Sequence, residues 1–234
     1  MKKNKFYLLC CFVMGSLLLS SCLKDDDDYV EPPAGLLTMV NGYIDANSIM
    51  YYTHLGTIPP ILFKSYASTR LYTGERQIAV SGSASPARLA DTTITVKEDS
   101  VYTSFLYGNK DKAKHIIIQN KKLSAATEKT VGIRFMNLAD VSGKVSLQLG
   151  DAAISAPFKD RSVETQATAT ANQTFIAQPE GTLTLKVKDQ AGTVLATREG
   201  LKFESGKHYT IILIGKKDNA NTPLYVGQVI EYVN

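Results

Sequence analysis

Strict alternation of apolar and polar residues most narrows the folds open to this chain. Leu183, Leu185 and Val187 alternate with Thr182, Thr184, Lys186 and Lys188; Val145, Leu147 and Leu149 alternate with Ser146, Gln148 and Gly150; Ile94 and Val96 alternate with Thr93, Thr95 and Lys97. A two-residue period sends successive side chains to opposite faces of a strand, so each segment is a strand with one face in a core and one in water. Residues 101–107 and 209–214 are apolar nearly throughout, as central strands of a sandwich should be. Gly143, Gly150, the stretch 189–192, Ser205-Gly206 and the stretch 218–221 supply turns between them. No segment carries an apolar stripe at helical spacing. The pattern predicts an all-β chain of sandwich type.

The chain also repeats itself. Residues 73–80 align without a gap on 180–187, residues 94–103 on 201–210, and Gly108 on Gly215, all at one offset. Upstream, Met39-Val40-Asn41 lies over Phe135-Met136-Asn137 at a shorter offset, which leaves the second copy with extra residues in a polar, turn-rich stretch at 159–173. Each copy has the length of an ordinary domain. The expected organisation is a signal peptide (1–21), a lipidated cysteine with acidic tether (22–34), a first sandwich (35–118), a polar linker (119–130) and a second sandwich (131–234).

Each copy opens with a strand ending in Asn (Asn41, Asn137), continues through a Gly-led hairpin (Gly74, Gly181), and closes with a Tyr-Thr strand ending in Gly (Tyr209-Thr210 to Gly215). This order resembles the DUF4397 family, domains of unknown function common in bacterial lipoproteins and often found in tandem. The second copy carries the pattern fully. In the first, Asp99-Ser100 replaces the Gly-Lys turn, and residues 51–66 are irregular. The resemblance spans roughly residues 35–233; it implies two tandem immunoglobulin-like β-sandwich domains and supplies no catalytic residues.

The N-terminus reads as an address. Lys2, Lys3 and Lys5 precede an apolar run from Phe6 to Leu19. At ~1.5 Å per residue this run reaches about 21 Å, short of the ~30 Å bilayer core, so it is a signal-peptide core rather than a spanning helix. It ends in Leu19-Ser20-Ser21-Cys22, which resembles the lipobox of bacterial lipoproteins. That resemblance implies acylation (palmitate or a similar chain) at Cys22, which would then be the only cysteine left after cleavage. Lys24, Asp25, Asp26, Asp27 and Asp28 follow; adjacent carboxylates repel and stay hydrated, giving an extended tether. An acidic run so close to the cysteine resembles the export signal of surface lipoproteins in Bacteroidota. The implied location is the outer membrane at the cell surface, with its periplasmic face as the alternative. The formal charge of +4 includes three signal-peptide lysines, so it does not argue for nucleic acid.

Chemistry is sparse. His54, His115 and His208 are not at metal-ligand spacing, and no metal or cofactor is expected. His208, just before a central strand, reads as a half-exposed strand residue. No nucleophile elbow or phosphate loop is present, and Ser81-Gly82-Ser83-Ala84-Ser85 reads as a hairpin turn. Tyr51, Tyr52 and Tyr66 are candidate ligand-binding aromatics beside the stiff Pro59-Pro60; alternatively such aromatics fill the core. Thr92 and Ser100 resemble O-glycosylation acceptors of exported Bacteroidota proteins. The expected function is a non-catalytic, membrane-anchored binding or structural module with a glycan or protein ligand. A fimbria-like appendage subunit and a glycan-acting enzyme are the alternatives.

Overall fold

The computed structural model describes residues 31–85, 87–123 and 129–233. Cys22, residues 24–28 and the middle of the expected linker lie outside them. From Pro33 onward the chain is one compact unit.

The strands are β1 (Ala34–Tyr43), β2 (Ser48–Thr53), β3 (Gly56–Thr57), β4 (Ile61–Leu62), β5 (Tyr66–Tyr72), β6 (Gly74–Gly82), β7 (Arg88–Val96), β8 (Val101–Asn109), β9 (Lys112–Gln119), β10 (Thr130–Asn137), β11 (Val145–Leu149), β12 (Ile176–Pro179), β13 (Gly181–Asp189), β14 (Val194–Phe203), β15 (His208–Ile214) and β16 (Tyr225–Glu231). Among the described residues a 3-10 turn (Ala156–Phe158) and one short α-helix, α1 (Gln166–Ala171), interrupt them. The protein is all-β, as the alternation predicts. In the first half, sheet β5-β1-β8-β9 faces sheet β3-β2-β6-β7; in the second, β12-β10-β15-β16 faces β11-β13-β14. The four-stranded sheets β5-β1-β8-β9 and β12-β10-β15-β16 share one pattern: a single parallel pair at the centre (β1 with β8, β10 with β15), flanked by antiparallel strands.

Residues at matching places in the two halves do matching structural work. Buried Asn41 donates from Nδ2 to the Ile61 carbonyl (2.8 Å) and accepts the Tyr43 N–H (2.9 Å). Buried Asn137 likewise donates to the Arg161 carbonyl (3.1 Å) and accepts the Ala139 N–H (3.4 Å). Each amide turns the chain out of one sheet and pins the segment crossing to the other, satisfying backbone groups that would otherwise be orphaned. The Tyr102 hydroxyl donates to the Thr95 carbonyl and accepts the Lys97 N–H (both 3.2 Å), while that of Tyr209 accepts the Glu204 N–H (2.9 Å). Both rings thus lock the turn before a central strand, as in a tyrosine corner. Gly108 and Gly215 end those strands at φ 87° and 91°, where a Cβ would lie 2.3 Å from the Lys112 carbonyl and 2.2 Å from that of Pro223. Only glycine fits there.

Three cores result. Leu37, Ile49, Tyr51, Ile78, Val80 and Leu106 fill the first sandwich; Ile133, Phe135, Leu147, Leu185, Val187 and Ile211 fill the second. The third joins the halves: Val40, Phe105, Tyr107 and Ile116 pack against Met136, Leu138, Ile212 and Ile214. The outer faces of the two four-stranded sheets are therefore stacked on each other, which buries every residue of β15 and residues 101–107 of β8. That stacking explains why these segments are apolar nearly throughout.

A polar cluster sits in the stack. Arg134 donates to Glu231 (2.9 Å), Asn120 (2.8 Å) and Thr210 (2.7 Å), its guanidinium lying 4.5 Å from the centroid of the Phe175 ring. Glu231 also accepts from Thr103 (2.7 Å) and Asn120 (3.0 Å), and from Thr210. Thr103 belongs to the first half, Asn120 to the segment that follows β9, and Arg134, Thr210 and Glu231 to the second half. Burial pulls the Arg134 pKa down, while Glu231 opposes the shift.

Two expectations are corrected. His208 is 2% exposed rather than half-exposed: its ring stands against Phe175 (4.9 Å) and over Gly132, and Nε2 accepts the Leu123 N–H (3.0 Å). The polar stretch 159–173 contains α1, a helix too short to show an apolar stripe. Thr165 and Thr168 form a reciprocal capping box at its start, and the Gln166 side chain both donates to and accepts from the Ile117 backbone (2.8 and 3.0 Å). That amide occupies the open edge of β9 as a strand would.

Inside the first sandwich, Tyr51, Ser104, His115 and Thr92 form a chain of hydrogen bonds: Tyr51–Ser104 2.9 Å, Ser104 to His115 Nε2 2.7 Å, and His115 Nδ1 to Thr92 2.9 Å. Burial lowers the His115 pKa to about 4.

The buried groups set measurable expectations. Arg134→Met strands the Glu231 carboxylate and should cost about 3–5 kcal/mol, whereas Arg134→Met/Glu231→Leu should recover most of the loss. In urea denaturation both halves should unfold in one transition, and two resolved transitions would contradict the shared core. Neutral His115 stabilises the fold above pH 6.5. Because its folded pKa is depressed, as much as ~3 kcal/mol should be lost as pH falls from about 6.5 towards 4. Subtracting the stability–pH curve of His115→Gln from that of the native chain should isolate this slope.

Candidate functional site

Four connections meet at the pole where β1 ends: the β1–β2 turn (44–47), the β6–β7 turn, the β8–β9 hairpin and the β15–β16 loop (219–222). They surround a groove of about 880 Å³, in the size range of small-ligand sites. Its walls include Asp45, Asn47, Ser83, Arg88, Lys110 and Asn221. Short polar bonds fix the turns. The Lys110 N–H donates to Asp45 (2.7 Å), Ser48 donates to Ser83 (2.7 Å), and Asn219 accepts the Asn221 and Thr222 N–H groups (both 3.0 Å). Thr222 donates to the Ile44 carbonyl (3.4 Å), tying a second-half loop to a first-half turn. The Arg88 guanidinium lies 4.6 Å from the centroid of the Tyr52 ring, whose hydroxyl bonds Ser81 (3.1 Å). Tyr43 also lines the groove, and burial, then Asp45 and Asp111, push the pKa of its hydroxyl up. The site offers amides, hydroxyls, one guanidinium, one ammonium and one carboxylate, a set suited to directional hydrogen bonding.

The three candidate tyrosines are not brought together. Tyr51 is fully buried in the first core, and burial pushes its hydroxyl pKa up. Tyr52 points the other way along β2, beneath Arg88 at the groove. Tyr66 is exposed at the start of β5, beside a separate 530 Å³ groove lined by Pro59, Pro60 and Leu62. Alternation along β2 dictates the Tyr51–Tyr52 split. Of the glycosylation candidates, Thr92 is half-buried with its hydroxyl on His115, and Ser100, also half-buried, accepts from Gln119 (3.2 Å).

Ser104 and His115 are the described Ser–His pair with nucleophile–base geometry, but Ser104 is fully buried and presents no surface to a substrate. His54 is exposed and accepts the Tyr72 N–H (3.2 Å). Among the described residues no group of His, Cys, Asp and Glu is placed to hold a metal ion, and no helix is long and apolar enough to cross a membrane. Sequence reasoning missed the groove because its walls come from four turns spread over 180 residues; the only local signal was their Asn, Ser and Asp content.

No curated protein matches the chain. Among solved structures, a DUF3823 family protein from Bacteroides ovatus ATCC 8483 is similar over 73% of this chain and 98% of its own, at 15% identity and a TM-score of 0.23. The structure described as "Alpha-glucan binding by a streptococcal virulence factor" is similar over 82% of this chain and 97% of its own, at 14% identity and a TM-score of 0.24. The family match falls on the first sandwich and the opening strands of the second, rather than on the copy with the fuller pattern: residues 37–148, from β1 into β11, match the Domain of unknown function (DUF4397).

Proposed function

We propose that this chain is a lipid-anchored binding module of the bacterial outer membrane, displayed at the cell surface, that holds a glycan or protein ligand in its polar loop groove without catalysing a reaction. The observation that carries the reading is polarity. The described body begins at β1, and β1 runs its ten residues, about 33 Å, to the groove at the opposite pole. A tether from Cys22 through the acidic run would therefore hold one pole towards the membrane and present the other outward. Two copies of one sandwich unit, stacked by their outer faces, would make a rigid spacer. Binding is favoured over glycan hydrolysis because Asp45 is the one carboxylate among the groove's described lining residues, whereas hydrolysis generally needs two facing each other.

The test has two arms. Protease treatment of intact cells should remove the protein while sparing a periplasmic control, and survival until lysis would overturn the surface placement. On a glycan and host-protein array, the full chain in detergent should bind at least one class of ligand. Arg88→Ala or Asn221→Ala should weaken that binding about tenfold, or ~1.4 kcal/mol. Binding indifferent to both substitutions would overturn the groove assignment.

A further inference from the structure

A second site lies on the seam between the halves, away from the loop groove. Tyr225, at the start of β16, has the Lys64 ammonium 4.9 Å from its ring centroid and the Arg198 guanidinium 5.0 Å from it. The two cations are thus within about 10 Å of each other, and no described carboxylate forms an ion pair with either. Lys64 comes from the β4–β5 turn of the first half, and Arg198 and Tyr225 from the second, so the cluster exists only in the stacked protein.

The placement of Lys64 is specific. Its backbone sits in the left-handed region at φ 72°, which a lysine rarely adopts, held there by its N–H on the Asn41 carbonyl (3.1 Å). In the second half, the N–H that donates to the equivalent Asn137 carbonyl belongs to Glu164, whose carboxylate is buried on Arg161. The first half thus turns outward, as an unpaired cation, a position that the second half uses for an internal ion pair.

The seam continues along β5 to Tyr66 and along β16 to Gln228 and Ile230, where Tyr66, Gln228, Ile230, Tyr209 and Lys202 border a cavity of about 330 Å³ with Glu204, whose carboxylate is already paired with Lys202 and Lys207. Tyr66 and Ile230 are 38% and 41% exposed there. Gln228 donates across to the Lys202 carbonyl (3.0 Å), bridging the gap between β16 and β14. An added peptide strand would have to break that bridge. A sugar chain needs only a ring face and side-chain donors.

We infer that this seam binds an acidic carbohydrate, its carboxylate or sulfate held between Lys64 and Arg198 and an adjoining sugar ring laid on Tyr66. The interaction is charge-assisted at one end and apolar at the other. It is independent of the loop groove and of membrane anchoring.

Titration calorimetry on the full chain in detergent tests this, with oligogalacturonate as the carboxylated probe, chondroitin sulfate as the sulfated one, and dextran and poly-glutamate as controls. At least one acidic glycan should bind, more weakly as salt rises. Lys64→Gly, which suits the left-handed backbone and leaves the fold intact, should weaken binding about tenfold, as should Arg198→Ala. Tyr66→Ala should weaken whichever acidic glycan binds but not any residual poly-glutamate binding. Lys144→Ala, at an exposed cation that lines neither site, should change nothing. Failure of both acidic glycans to bind, equal binding of dextran, equal and Tyr66-independent binding of poly-glutamate, or indifference to Lys64→Gly/Arg198→Ala would each overturn the assignment. None of those results bears on the loop groove, whose own array test uses different residues.

Discussion

The stacking of sheet β5-β1-β8-β9 on sheet β12-β10-β15-β16 is the constraint from which the rest of the molecule follows. A β-sandwich normally leaves its outer faces wet, so alternation along its strands is the rule. Here two such faces cover each other, and the strands between them lose their polar side chains except where Thr103, Asn120, Arg134, Thr210 and Glu231 satisfy one another. Apolar contacts supply the attraction in that interface. The ion pair sets its register, since a charge displaced from its partners in this dry layer would be costly.

Both candidate sites are products of this stacking. The loop groove needs the Asn219 to Thr222 loop of one half against the Ile44 turn of the other. The seam needs Lys64 from one half over Tyr225 from the other. Neither half alone would contain either site, so the junction between the two sandwiches supplies surface that neither has by itself.

Much of the fold was legible because local physics dictates it. Alternation from Thr182 to Lys188 fixed the faces of β13, and Gly108, Gly215, Asn41 and Asn137 marked strand ends whose geometry accepts few other residues. What was not legible depends on distant partners. Nothing near Arg134 announces a carboxylate 97 positions away, and nothing near His208 announces that Phe175 and the Leu123 N–H will cover it. Tyr51 and Tyr52 look alike in sequence, but alternation buries one ring and leaves the other under Arg88. The helix α1 escaped notice because its cap is a pair of threonines and its contribution rests on one side chain, Gln166. Lys64 was invisible for another reason: its importance lies in a backbone angle that no residue type at that position signals.

The parallel pairing of β1 with β8 has a mechanical consequence. Tension applied between the N-terminus and the far pole would pull β1 lengthwise along β8 and β5. The hydrogen bonds of those two ladders lie across the direction of pull, so they would share the load and have to fail together rather than open one at a time. Unzipping geometry, in which each bond carries the whole force in turn, is avoided at the strand where the chain enters the body. Load entering through β1 is thereby met as shear across two ladders at once.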